Sequence, residues 1–317
     1  MNSLTMEGLA LWATDEQIIW NLKIVFMGMM VCLSCGVVGC FVVLRRMALL
    51  GDAVSHGILP GIVLAYLLSG SLSLGPLWLG ACLAGLGCGA CIEWLRRHTP
   101  LREDAAMGLT FTSFFALGIV LLSMEANNVH LDPACILYGE IGLTPLAPDL
   151  QVGHLSLGNS ALWSMGMVCM ITLVSAGCFY RFLLVTSFDE SLARTLGMPV
   201  WCVQYGLMLM LALVVVASFE SVGVILVLAM MILPPVSSAF LFDRLPYMLI
   251  CCLPLSLLYS LGGLHLAYWM NFPIAASIAL TGIILFLPCC LFGPKGGILR
   301  RSGQRKMYEE DLVRPSR

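Results

Sequence analysis

Residues 45–61 read RRMALLGDAVSHGILPG. Two arginines are followed by an apolar run, and inside that run sit Asp52 and His56. On an α-helix, positions four apart share a face, about 6 Å apart along the axis. A carboxylate and an imidazole are costly in hydrocarbon, so such residues face a bundle interior or a wet path. Pro60 has no N–H to offer the carbonyl of His56, which loses its helical partner. Gly51, Gly57 and Gly61 leave room for another helix or an ion to approach. The stretch thus offers an oxygen ligand, a nitrogen ligand, a freed carbonyl and a kink. Mixed oxygen and nitrogen ligation suits Mn, Fe or Zn better than Ca or Mg, which prefer oxygen, or Cu(I), which prefers sulfur. The competing reading makes Asp52 a helix N-terminal residue and His56 a packing residue. The cost of desolvating both groups weighs against it.

The chain around this stretch is built for a membrane. Of its 317 residues, 60% are hydrophobic and 11% charged, and the mean hydropathy is +0.95. A soluble domain carries about twice that charge fraction. The fold class is therefore an all-α polytopic membrane protein. A net charge of −2, without a basic face or aromatic-basic alternation, points to no nucleic-acid partner. Most of the fourteen cysteines lie in apolar runs. CLSC (32–35) and CGAC (88–91) have C-x-x-C spacing, but within spanning helices they read as small packing residues. Cys135 is placed on the outer side, with no evident disulfide partner. The first twenty residues lack a basic n-region and a cleavage site, so an uncleaved first span with its N-terminus outside is expected.

Nine spans are expected, at about 21–44, 47–69, 75–95, 105–123, 162–183, 200–218, 222–242, 247–269 and 274–292. Eight or ten fit if the short apolar turns near 218–222 and 269–274 are cut differently. Of the sixteen Lys and Arg, all but Lys23 then fall on one side of the membrane. That is the positive-inside rule, with the N-terminus out and the C-terminus in. Residues 125–160 form a long outer stretch with acidic residues and histidines but no Lys or Arg, and its middle, CILYGEIGL, is short enough to be re-entrant. From Gly293 the tail is polar and mixed in charge.

No G-x-x-x-x-G-K-[ST] loop and no H-E-x-x-H motif occurs, so nucleotide hydrolysis by that loop and zinc proteolysis are disfavoured. Glu93, three and four residues before Arg96 and Arg97, reads as a structural ion pair. Glu220, between the sixth and seventh spans, is a third candidate ligand or outer gate, with a helix-terminal role as the alternative. His265 reads as a packed or interfacial histidine. Pro234-Pro235 is expected to break or kink the seventh span. Between spans five and six, SFDESLARTLGMP (187–199) reads as a short polar helix. Ser187 and Glu190 make a capping box, Gly197 a stop, and Pro199 follows the stop.

Three stretches together resemble the membrane permease subunits of manganese/zinc/iron ABC importers. They are RRMALLGDAVSHGILPGIVLAYLLSG (45–70), SFDESLARTLGMPV (187–200) and SFESVGVILVLAMMILPPVSSAF (218–240). The first, D-x-x-x-H followed by L-P-G, is the most specific. The resemblance implies a permease that binds separate ATP-binding-cassette ATPase subunits inside and an extracytoplasmic metal-binding protein outside. It pairs with a second copy or a similar permease, in a bacterial inner membrane. Asp52 and His56 match the family's path residues, with Glu220 as a third metal candidate. The metal is cargo, and no permanently bound cofactor is implied. The short cytoplasmic helix resembles the ATPase-coupling helix, carrying Asp189, Glu190, Ala193 and Gly197. Ala193 and Gly197 keep the spacing of E-A-A-x-x-x-G, while Ser191 and Leu192 stand where E-A would be. The third stretch ends LPPVSSA where the family has L-I-x-P-A-A-T-A. On this resemblance 1–292 form the transmembrane permease domain and 293–317 a cytoplasmic polar tail. The alternative class is a secondary transporter in which Asp52, His56 and Glu220 relay protons. An intramembrane acid–base enzyme is a third. Dependence on a partner ATPase separates the first from both.

Overall fold

The computed structural model describes residues 15–47, 49–70, 74–124, 141–146, 149–152 and 155–294. Helix α1 (Asp15–Leu44) starts earlier than its hydropathy suggests, with Asp15 and Glu16 in its first turn, where the helix dipole favours acidic residues. It is apolar on every side and largely buried from Ile24 to Val42, as expected of a helix without a polar face. The second span comes in two pieces, α2 (Leu50–Gly57) and α3 (Leu59–Ser69). Then come α4 (Leu74–His98) and α5 (Glu103–Met124). A 3₁₀ turn (Ile141–Leu146) and an antiparallel hairpin of β1 (Asp149–Val152) and β2 (Leu155–Asn159) precede the fifth span. That span is α6 (Ser160–Cys178), continued after Phe179 by α7 (Tyr180–Phe188). The rest is α8 (Glu190–Thr195), α9 (Val200–Val222), α10 (Val224–Leu241), α11 (Leu245–Met270) and α12 (Ile274–Phe292).

Among the described residues, eight helices are long and apolar enough to cross a membrane, and a shorter apolar helix lies within α10. They fall on the nine expected spans. The hairpin is an addition to the all-helical membrane domain. The middle of the expected re-entrant stretch and the tail beyond 294 lie outside the described residues.

Helix α1 is the centre of one group, packing against α10, α11 and α6 and touching α9. Helices α2 to α5 form a second group, joined to the first by α9, which packs on α4. In a bilayer, packing and interhelical hydrogen bonds replace the hydrophobic drive, and small residues let helices approach. Ser260 Oγ donates to the Val25 carbonyl at 2.7 Å, and the buried hydroxyls of Ser237 and Tyr259 meet at 3.1 Å. Gly61 and Gly80 bring α3 and α4 together so closely that a Cβ on either would strike the other's carbonyl.

Pro234 and Pro235 do not break the seventh span, since α10 is continuous through both. Pro235 removes the N–H that would pair with the Met231 carbonyl. That carbonyl instead lies against Gly39 of α1, where no side chain intervenes. The described cysteines are all free, and Cys32, Cys35, Cys40 and Cys88 are fully buried packing residues.

Candidate functional site

Helix α2 brings Asp52 and His56 together as their spacing requires, with His56 Nε2 3.4 Å from Asp52 Oδ1. The imidazole is held by Phe111 and Phe115 of α5, at ring-centroid distances of 5.9 and 5.4 Å, the second edge-on. The two side chains remain 28% (His56) and 37% (Asp52) exposed in the single chain. Their depth follows from Cys88, whose thiol donates to the Ala53 carbonyl at 3.5 Å. Cys88 precedes Arg96 by eight residues, which is about 12 Å of helix. The pair therefore sits well inside the apolar layer, away from the basic end.

The kink expected from Pro60 is confined to one turn, since Ile58 keeps helical angles (φ −78°, ψ −19°) and its N–H donates to the Val54 carbonyl at 3.1 Å. Both Gly61 N–H and Ile62 N–H donate to the Ile58 carbonyl, at 3.0 and 3.1 Å, so the helical ladder passes through Ile58 and is thinned only where Pro60 has no N–H to give. Glu220 lies in the last turn of α9 rather than in a turn between spans. Its side chain is outside the described part of the structure. Among the described residues no group of three or more His, Cys, Asp or Glu could hold a metal. Of the expected ligands, the described side chains are those of Asp52 and His56. His265 Nδ1 lies 2.8 Å from the Leu261 carbonyl one turn back, consistent with a packed histidine.

The short helix at the basic end is real but starts differently from its sequence signature. Its N-cap is Asp189, whose carboxylate accepts from Ser191 N and Leu192 N at 2.9 and 3.1 Å. The expected capping box of Ser187 and Glu190 does not form. Ser187 belongs to α7 and accepts from Arg45 Nε at 3.2 Å, while Thr186 accepts from Arg45 Nη2 at 2.8 Å. Burial pulls the Arg45 guanidinium pKa down to about 10, so it stays cationic near neutrality. The Ser191 hydroxyl and the backbone N–H groups hold the Asp189 carboxyl below its ordinary range. Arg194, bonded to Glu190 at 2.6 Å, does the same for Glu190.

The far end of α8 closes as a Schellman motif. Gly197 has φ +73°, its N–H donates to the Arg194 carbonyl, and Met198 N–H donates to the Ala193 carbonyl, both at 3.0 Å. Ala193 is fully buried, which fixes the inner face of the helix.

A cluster the sequence pattern showed only in part surrounds this helix. Glu93 pairs with Arg96 and Arg97 as its spacing suggests, but it also accepts from the buried Gln204 of α9 at 2.9 Å. Arg96 in turn reaches Glu103 of α5 at 2.9 Å and Glu190 of α8 at 3.9 Å. Thus α4, α5, α8 and α9 meet at one end, the end that Arg45 of the first span also joins. This places Arg45, Arg96, Arg97 and Arg194 together, as the cation rule requires.

A family model described as the ABC 3 transport family matches residues 20–293. The chain belongs to the ABC 3 transport family. It is 39% identical over 278 residues to the manganese transport system membrane protein MntD of Bacillus subtilis (strain 168), covering 88% of this chain and 94% of that protein. It is also 39% identical over 292 residues to the zinc transport system membrane protein TroD of Treponema pallidum (strain Nichols), covering 92% and 79%. A solved structure, PsaBC from Streptococcus pneumoniae in complex with Fab, superposes with a TM-score of 0.74 at 31% identity, covering 95% of this chain and all of that one. This ABC 3 family chain is thus a multi-pass membrane permease. Its matched region contains both the Asp52–His56 pair and α8.

Proposed function

We infer that this ABC 3 family permease carries a divalent transition metal, Mn, Zn or Fe, along a path that includes Asp52 and His56. The observation that carries this is the 3.4 Å separation of Asp52 Oδ1 and His56 Nε2. If each bonded one ion at about 2.1 Å, that separation would subtend about 108° at the metal. The angle suits a tetrahedral ion and is within reach of a distorted octahedral one. Ligation needs an ionised carboxylate and a neutral imidazole. The names of the relatives, one a manganese and one a zinc system, agree with this ligand class.

Two protein ligands are fewer than such ions take, and both are partly exposed in the single chain. A second copy or a similar permease, facing this one, would cover them and add ligands. Helix α8 docks a separate ATP-binding-cassette ATPase, which supplies the energy, and a metal-binding protein delivers cargo from outside. Glu220 stays a third candidate ligand by its place beside the seventh span.

The test is metal uptake in a strain lacking its own importer. Asp52→Ala and His56→Ala are expected to abolish uptake while leaving membrane insertion normal. Wild-type transport by both variants would remove the pair from the path, and uptake that persists without any ATPase partner would favour a proton-coupled carrier instead.

A further inference from the structure

We propose that Arg96 is the strut through which movement of α8 reaches the wall of the Asp52–His56 site. The proposal rests on reading α8 as the ATPase-coupling helix. It adds the route by which that helix acts, starting from three contacts of one guanidinium. Arg96 Nη2 holds Glu93 at 2.9 Å on its own helix, and Nη1 holds Glu103 at 2.9 Å, the first residue of α5. The Nη2 group also faces Glu190, the first residue of α8, at 3.9 Å.

The lengths differ in a useful way. The Glu103 pair bolts α4 to α5, the Glu93 pair anchors the guanidinium within α4, and Gln204 of α9 donates to Glu93 Oε2, the oxygen that Arg96 Nη2 also approaches. Glu93 is 3% exposed, and breaking a buried, fully partnered carboxylate away is costly. The Glu190 contact is longer and open to solvent, with side-chain exposures of 23% for Arg96 and 36% for Glu190. It is the joint that can tighten or release without dismantling the rest. A lysine could not replace this geometry, because only the planar guanidinium fork serves several carboxylates at once.

What the strut would move is also on the structure. Helix α5, bolted at Glu103, carries Phe111 and Phe115 against the His56 ring. These lie about 12 and 18 Å along the helix from that bolt, so tilting α5 at its foot displaces the imidazole's wall. Helix α4 touches α2 through the Cys88–Ala53 contact and α3 through Gly61 and Gly80. Both walls of the pair therefore hang on the two helices that Arg96 ties together. Arg194, the other partner of Glu190, lies within α8 and leads to no span. This makes Arg96 a positioning residue, since it touches no cargo.

The experiment uses the full complex of permease, ATPase and metal-binding protein in liposomes, with Mn or Zn as cargo, and reads metal moved per ATP hydrolysed. Arg96→Lys and Glu190→Gln are each expected to lower that ratio about fivefold or more, the lower range of allosteric coupling. The double variant should be no worse than the poorer single, because Glu190 reaches the spans only through Arg96. Arg194→Gln should stay within about twofold, as an exposed pair contributes little. A merely structural defect would lower the yield of complex, or transport and hydrolysis together, and leave the ratio alone. An unchanged ratio in Glu190→Gln, or losses that multiply in the double variant, would overturn the proposal. So would loss of ATPase co-purification in Arg96→Lys, which would put Arg96 on the docking face. If Gly197→Val keeps full ATP-driven uptake, the coupling role of α8 fails and the strut falls with it. If Gly197→Val uncouples while Glu190→Gln does not, the coupling helix stands and only the strut is lost.

Discussion

Gly197→Val should uncouple transport while leaving the membrane bundle intact. Gly197 sits at φ +73° with open space where a Cβ would go, so the penalty is one of backbone alone. An L-residue held there costs about 1–2 kcal/mol, and a β-branched one is at the upper end. The helix can escape the strain only by giving up the Schellman bonds from Gly197 and Met198, each worth about 1 kcal/mol net. Either route disfavours the docked shape of α8 by a factor of about 5–30. Helix α8 has six residues, too few to be stable alone, so it cannot absorb that loss. Asparagine tolerates the left-handed region, so Gly197→Asn should behave nearly as wild type. Co-purification of the ATPase, with ATP hydrolysis and metal uptake in liposomes, reads the outcome. The melting temperature of the permease in detergent should not change. Full ATP-driven uptake by Gly197→Val would reduce this segment to a connector, and an equal defect in Gly197→Asn would show that backbone conformation is not the cause.

Gly39→Ala should lower thermal stability in detergent by about 1–3 kcal/mol, because its Cβ would meet the Met231 carbonyl and Pro235 Cγ. Gly177→Ala, with nothing near its Cβ, should be neutral or stabilising, and equal effects at the two sites would refute the packing argument. Glu93→Ala strips partners from Gln204 and Arg96 and should cost about 3 kcal/mol, the low end for a broken buried pair since Arg96 keeps Glu103. Glu93→Gln should recover part of that, and an unchanged melting temperature in Glu93→Ala would show that the pair is not load-carrying. With single cysteines in a cysteine-depleted background, an impermeant thiol reagent added outside should label Leu146→Cys and not Thr195→Cys. Labelling of Thr195→Cys from outside would invert the topology.

The spans were legible because hydropathy is a local signal that survives folding. The Asp52–His56 contact was legible for the same reason, as one turn of one helix. What escaped the sequence depends on residues far apart in the chain. Ser187 looks like an N-cap, but Arg45, 142 positions earlier, takes its hydroxyl, and the cap passes to Asp189. The Pro234-Pro235 pair looks like a break, but Gly39 lets α1 come up against the carbonyl that Pro235 leaves unpaired. Glu93 was read correctly as an ion pair with its own helix, yet its link to Gln204 spans 111 positions. No spacing rule encodes such a link, so the cluster around Arg96 became visible only in three dimensions.

The turn around Ile58 gives these contacts their meaning. Pro60 leaves the His56 carbonyl without its helical N–H, while Ile58 keeps helical angles, so the ladder is thinned at one turn and not broken. Helix α3 is locked to α4 at Gly61 and Gly80. Helix α2 is held by α4 through Cys88, by α5 through Phe111 and Phe115, and by α10, whose Met231 side chain packs on Gly51. A shift between two states can come only from a difference in affinity between them. A turn that lacks a ladder bond bends more readily than an intact one, so movement of the three neighbours re-aims Asp52 and His56 relative to α3 with no helix unfolded. The missing bond costs about 1 kcal/mol. Pro60 therefore stands just beyond His56, where it loosens the joint between the Asp52–His56 turn and the rest of the span and leaves the helix itself intact.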